Sequence, residues 1–253
     1  MPPSTLVHPD CATWIDQELR RAGVDAEALT LELLESQEFD RVSHDHAIRA
    51  LGRLGVRLAI DDLGSGYSSL SRLANLPFDV IKVDQSITSE VLRAPVKVLS
   101  LIRTVVQIGE DLEREVVVEG VETRDVVQAV TILGAHYVQG YAIARPMPPE
   151  EFDAWEQATG ASWAIGDGIE SWLSALAYCW LYMHSENSHY PTPIDRCPLT
   201  GFLLRHGEAS GEAICWHTLL HEADAEIARR EIQARLIAWL EAKLLEQAGE
   251  MSN

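Results

Sequence analysis

Two adjacent carboxylates, Asp61 and Asp62, close the apolar run Leu58-Ala59-Ile60 and are followed by Leu63-Gly64-Ser65-Gly66-Tyr67. Successive residues of a strand face opposite ways, so both acids can address one ion pair only where the strand ends and the backbone turns. Gly64 and Gly66 permit that turn because they reach positive φ without a Cβ clash. Adjacent acids repel, and a hard divalent cation such as Mg2+ or Mn2+ is the usual compensation. The alternative is an Asx turn leading into a helix capped by Ser65 or Ser68, with Asp62 solvated.

The same arrangement recurs along the chain. Leu29 to Glu35 carries Glu32 and Glu35, Phe78 to Asp84 carries Lys82 and Asp84, Val116 to Glu122 carries Glu119 and Glu122, and Tyr137 to Gly140 carries Gln139. Between these runs the period becomes helical, over Asp45 to Leu54, Ser68 to Leu76, Val96 to Leu112 and Arg124 to Leu133. Val/Ile/Leu strands alternating with amphipathic helices predict a parallel sheet buried on both faces. Polar groups gathered at the carboxyl ends of successive strands predict the mouth of a (β/α)8 TIM-type barrel. A doubly wound sheet is the alternative, but no glycine-rich phosphate fingerprint opens the first helix.

The series Glu32-Leu33-Leu34-Glu35, Asp61-Asp62-Leu63-Gly64-Ser65-Gly66-Tyr67-Ser68-Ser69-Leu70, Ile81-Lys82-Val83-Asp84, Glu119-Gly120-Val121-Glu122-Thr123 and Gln139-Gly140-Tyr141-Ala142-Ile143-Ala144-Arg145-Pro146 resembles the EAL-domain family over about residues 5 to 155. Its members are bacterial signal-transduction phosphodiesterases that hydrolyse cyclic di-GMP to linear pGpG. The resemblance implies a two-metal site for Mg2+ or Mn2+: Glu32 and Asp61 on one ion, and Asp61, Asp62 and Glu119 on the other. Such a pair clamps the scissile phosphate and lowers the pKa of the attacking water. Lys82 would hold that water, Glu119 would serve as general base, and Glu122 and Gln139 would order water and ligand geometry. Asp84 would face the nucleotide, Arg145 and Pro146 would border the guanine pocket, and Glu35 would pin the loop after Asp62. The resemblance further implies cyclic di-GMP as ligand, a homodimer through the barrel, and an upstream sensory or GGDEF-type domain.

Blander readings stand beside these. Lys82 with Asp84 could form a surface ion pair of small worth, Gln139-Gly140 could be turn chemistry, and His136 reads as a surface histidine. Leu34, Leu63 and Val118 replace residues usual in the family, which are mild departures. The larger one is the absence of a counterpart for two metal ligands: the glutamate of an early-strand Glu-Ala-Leu motif and a later asparagine. Met1 to Pro9 aligns just after that asparagine. A barrel needs about 250 residues, and the barrel-like part here, ending near residues 155–158, is about 90 short, with three of eight strands unaccounted for. The expectation is an N-terminally truncated barrel domain over residues 1–158, weakly active or inactive alone.

The chain has 253 residues and a net charge of −19, which excludes a nucleic-acid polymer groove but not a dinucleotide whose phosphates meet bound cations. Cys11, Cys179, Cys197 and Cys215 lack CxxC spacing. With neither a signal peptide nor an apolar run of spanning length, a cytoplasmic setting is expected and no membrane segment. Strand alternation ceases after Thr159-Gly160. Ser171 to His184, Gly211 to His221 and Asp224 to Gln247 read as helices, separated by a polar linker Ser185 to Arg196, so residues 159–253 form a small all-α domain. His217 and His221 stand at i and i+4, a spacing that metals use. With Cys197 upstream they faintly resemble the chemoreceptor zinc-binding domains, which use three histidines and a cysteine. Trp172 occupies the place of the remaining histidine, for which His184 or His189 could substitute. The alternative is a pair of histidines on a packing face. Three functions therefore compete: a cyclic di-GMP phosphodiesterase, a degenerate EAL module that binds nucleotide or protein without hydrolysis, and a zinc-responsive helical interaction module.

Overall fold

The computed structural model of the chain describes residues 1–33, 41–63, 73, 75–159, 168–184, 192–208, 210–222 and 226–251. Two helices, α1 (Pro3–Leu6) and α2 (Cys11–Ala22), precede strand β1 (Thr30–Leu33). Then follow α3 (Arg41–Leu54), β2 (Arg57–Leu63), β3 (Val80–Val83), α4 (Gln85–Ser89), α5 (Pro95–Asp111), β4 (Glu115–Glu119), α6 (Arg124–Ile132), β5 (Tyr137–Gln139) and α7 (Pro149–Thr159). The five strands are parallel and lie in the order β1-β2-β3-β4-β5. That order never reverses, whereas a doubly wound sheet must reverse at its switch point. The winding is that of a barrel wall, as expected. The helix predicted over Ser68 to Leu76 falls mostly outside the described residues.

Alternation sorts the sheet into two faces. Leu33, Ile60, Ile81, Val83, Val116 and Val118 are buried with the helix faces. Helix α5 contributes Val98, Leu99, Ile102, Val105 and Val106 at helical spacing, and Pro95 opens it where a missing N–H costs nothing. The other face carries Glu32, Asp61, Lys82 and Glu119. Helix α2, absent from the predicted elements, ends on Gly23 at φ 67°, whose N–H closes onto the Arg20 and Leu19 carbonyls.

Beyond the sheet lie α8 (Trp172–His184), α9 (Pro198–Arg205), α10 (Glu212–Glu222) and α11 (Glu226–Met251). Three match predicted helices within a few residues. The fourth, α9, is absent from the predicted elements; Pro198 pre-sets its first turn and Leu199, Phe202 and Leu203 bury one side. Helix α8 packs against both α6 and α11, so one apolar cluster runs from the sheet helices through Leu173, Leu176 and Phe202 to Leu240. At the start of α8 the side-chain amide of Gln128 donates to the Gly168 carbonyl (2.8 Å) and accepts from Glu170 N–H (3.0 Å). That amide ties α6 to the segment leading into α8.

Because the cluster is continuous, Leu176→Ala, at a fully buried position, is expected to cost about 2–5 kcal/mol. It should lower one cooperative melting transition. Two separate transitions in calorimetry, with only one of them shifted, would contradict a shared core.

Candidate active site

Parallel register sets up the site. Glu32 pairs with Ala59, Ala59 with Val80, Lys82 with Val117 and Glu119 with Gln139. Residues two apart share a face, so Glu32, Asp61, Lys82 and Glu119 project from one side near the carboxyl ends of four neighbouring strands. Their side chains meet at one ammonium. Lys82 Nζ lies 2.6 Å from Glu32 Oε1, 2.6 Å from Glu119 Oε1 and 3.9 Å from Asp61 Oδ1.

The electrostatics follow from burial. The Lys82 side chain is 8% exposed, and such burial by itself lowers an ammonium's pKa. Hydrogen bonds and charge from Glu119 and Glu32 outweigh it, so the net displacement is upward and Lys82 stays cationic. The surface pairing of Lys82 with Asp84 is thereby overturned: the lysine points into the carboxylate cluster. Asp84 instead caps α4, its Oδ1 accepting from Ser86 N–H at 2.9 Å. The donors around the ammonium are all carboxylate oxygens, a set suited to hard divalent cations. Asp62 lies in β2 beside Asp61; Glu35, Gly64 and Gly66 lie outside the described residues.

Gln139 is the register partner of Glu119, on the last strand. Arg145 stacks its guanidinium 4.6 Å from the centre of the exposed Tyr141 ring, and Pro146 follows it. His136 is exposed, as read from the sequence. Glu122 lines a cavity of about 240 Å3 with Gln85, Thr88, Asp125 and, from α11, Leu244 and Gln247. Burial, helped by the neighbouring Glu170 charge, raises the pKa of Asp125 on that wall.

Two residues escape sequence reasoning. The buried Thr88 hydroxyl, 2.8 Å from the Glu119 carbonyl oxygen, donates to the backbone of a cluster residue. Gly120, at φ 66°, turns the chain directly after Glu119, and a Cβ there would overlap Gln85 and Thr88. The glycine beside Glu119 was the only available signal. Glu27-Ala28-Leu29 spells the family's name, but residues 26–28 form an exposed 3-10 turn ahead of β1, at the opposite end of the strand from the cluster. It supplies no ligand there.

A second donor set lies in the helical region. One ligand atom each from Cys197, His217 and His221 fall within 4.8 Å of one another, the only such group of His, Cys, Asp or Glu among the described residues. Cys197 and His217 are buried. The Thr200 hydroxyl lies 3.0 Å from His217 Nε2. Burial, and then the His221 charge, push the His217 pKa down to about 3; burial also lowers that of His221. Both rings are neutral at pH 7, the form that ligates metals. Trp172 stands elsewhere, edge-on to Phe202 at 4.8 Å and to Trp239 at 5.7 Å. His189 and the side chain of His184 lie outside the described residues. No described helix is long and apolar enough to cross a membrane.

Comparison with known proteins places this geometry. A cyclic di-GMP phosphodiesterase of Pseudomonas aeruginosa, PA2567, is 36% identical over 148 residues, 57% of this chain and 25% of that protein. The solved EAL domain of Mycobacterium smegmatis DcpA superposes with a TM-score of 0.56 at 29% identity, covering 60% of this chain and 68% of the other. Klebsiella pneumoniae BlrP1, solved with manganese and cyclic di-GMP, aligns with a TM-score of 0.51 at 33% identity over 56% of this chain and 36% of its own. The chain spans between 17% and 25% of the length of the first curated relatives it matches. The EAL domain model matches residues 1–146, more than half of the sequence. With its parallel strands in unreversed order and its acids gathered at their carboxyl ends, the chain belongs to the EAL-domain family.

Proposed function

We infer that residues 1–158 are the carboxyl-terminal part of a cyclic di-GMP phosphodiesterase site, followed by a helical unit over residues 159–253. The observation that carries this reading is the convergence of Glu32, Asp61 and Glu119 on the Lys82 ammonium. Glu32, Asp61, Asp62 and Glu119 would hold two divalent cations, Mg2+ or Mn2+, which when bound supply charge compensation at the phosphate and a more acidic water. Lys82 orients the Glu119 and Glu32 carboxylates and offsets charge on the phosphoryl oxygens. Glu119 would accept the proton of the attacking water as that water's oxygen bonds to phosphorus; the phosphorus–ribose 3' oxygen bond breaks in line, and the departing oxygen takes up the proton returned through Glu119 and solvent, giving pGpG. Gln139 and Glu122 order the surrounding water. Glu35, Gly64 and Gly66 keep the roles in the segment after Asp62 that the family resemblance implies. Asp84, beyond capping α4, and Arg145-Pro146 border the nucleotide.

The same reading takes the protein as cytoplasmic, dimeric through the barrel, and joined to a sensory or GGDEF-type unit, in keeping with the greater length of its relatives. Within the 253 residues, the family's first-strand glutamate and later asparagine ligands have no counterpart. Purified chain with Mg2+ or Mn2+ and cyclic di-GMP is expected to yield little or no pGpG by chromatography. Supplying a segment with those two ligands should restore turnover, and Lys82→Met in the restored protein should reduce it about 100- to 1,000-fold. Tight binding of cyclic di-GMP without turnover in either form would identify a nucleotide-binding regulator instead.

A second reading rests on the donors Cys197, His217 and His221: the helical unit binds Zn2+. One thiolate and two neutral imidazoles match zinc's preferences, and their ligand atoms lie within 4.8 Å of one another. Chelator-stripped protein is expected to take up one equivalent of zinc by atomic absorption and to melt at a higher temperature. Cys197→Ser should abolish both effects. Full zinc uptake by that variant would refute the assignment.

A further inference from the structure

The three-residue donor set leaves a tetrahedral ion one ligand short. We propose that the hydroxyl oxygen of Tyr178 is the fourth ligand of the zinc site formed by Cys197, His217 and His221. This rests on the zinc reading above and concerns only how the ion's coordination is completed.

Several groups near this cluster have other partners. Trp172, where a histidine would stand in the related pattern, belongs to the aromatic stack with Phe202 and Trp239. His206 directs Nδ1 at the Phe202 carbonyl (2.9 Å) and packs on the Trp172 ring. The Thr200 hydroxyl lies 3.0 Å from His217 Nε2. On α8, six residues beyond Trp172, Tyr178 brings its hydroxyl oxygen 3.7 Å from Cys197 Sγ. In a tetrahedral site with Zn–S about 2.3 Å and Zn–O about 2.0–2.2 Å, the sulfur–oxygen edge measures about 3.5–3.7 Å. The observed 3.7 Å matches that edge length.

The surroundings favour an oxygen ligand held in place. Tyr178 is 9% exposed, and its ring packs 4.7 Å from that of Tyr182, so the hydroxyl has little freedom to leave. Burial, followed by the neighbouring Cys197 and Tyr182, pushes the phenol's pKa upward in the metal-free protein. A cation at the site has the reverse effect on both oxygen and sulfur. Binding would release the thiol and phenol protons to solvent and leave a Cys/His/His/Tyr shell. A site with four protein ligands is closed, which is the arrangement of structural zinc rather than catalytic zinc.

Cobalt substitution in the full chain tests this. Chelator-stripped wild type titrated with Co2+ is expected to develop the intense visible bands of a tetrahedral site, with a thiolate charge-transfer band. Zn2+ should displace it and produce a tyrosinate difference spectrum in the ultraviolet. Tyr178→Phe, which keeps the buried ring, should lose the tyrosinate signal, shift the visible envelope and weaken Co2+ binding at least about 10-fold. Tyr182→Phe should retain all three properties, and circular dichroism of each variant reports folding. A Tyr178→Phe protein with wild-type affinity and an unchanged envelope would overturn the proposal while leaving zinc binding intact, with water as the fourth ligand. No tetrahedral spectrum in the wild type would overturn both.

Discussion

The buried ammonium of Lys82 is the constraint on which the sheet end depends. Removing a cation from water costs several kcal/mol, and that cost is offset only where anions meet it with good geometry. Glu32 and Glu119 do so at 2.6 Å and Asp61 stands behind them. The dependence is mutual, since three acids crowded at one sheet end would repel one another without the cation. Satisfying it requires β1 to β4 in one register, because a slip by a single residue would turn Lys82 into the helix-packed layer among Ile81 and Val83.

Much of this was legible in the sequence. The four apolar runs ending in acids correspond to β1 to β4, because β-branched residues followed by charges leave a clear mark at a strand's carboxyl end. The paired Asp61 and Asp62 pointed to the site through their mutual repulsion. What periodicity could not show was partnership across the chain. Lys82 has Asp84 as its nearest acid in sequence, yet its partners are Glu32 and Glu119, 50 and 37 positions away. Thr88 reaches the Glu119 backbone over 31 residues, and a threonine in a short polar helix gives no sign of that. Helix α9 is absent from the predicted elements because eight residues are too few for a helical period to stand out, and tertiary burial of Phe202 and Leu203 decides the matter. Glu27-Ala28-Leu29 makes the converse point: residue identity without placement at the correct strand end carries no chemistry.

The two donor sets differ in hardness. The sheet end presents carboxylate oxygens beside an ammonium, while the helical region presents sulfur and imidazole in an apolar setting. Hard cations with many waters suit the first and a borderline ion suits the second. A metal that favoured one set would gain little at the other, so the two donor sets are chemically distinct although their helices share a core.

The cavity behind Glu122 has a consequence for the order of assembly. Its walls combine Gln85 to Leu92, Gly120 to Val126 and, from the far end of the chain, Leu244 to Ala248. Contacts joined over such separations close late, because a long loop must be ordered before they contribute. On the ribosome, where synthesis runs at about 5–20 residues per second, the strand that carries Glu119 emerges several seconds before the helix that completes the wall behind it. Until then that wall stands open, a vectorial asymmetry that refolding from denaturant would not reproduce.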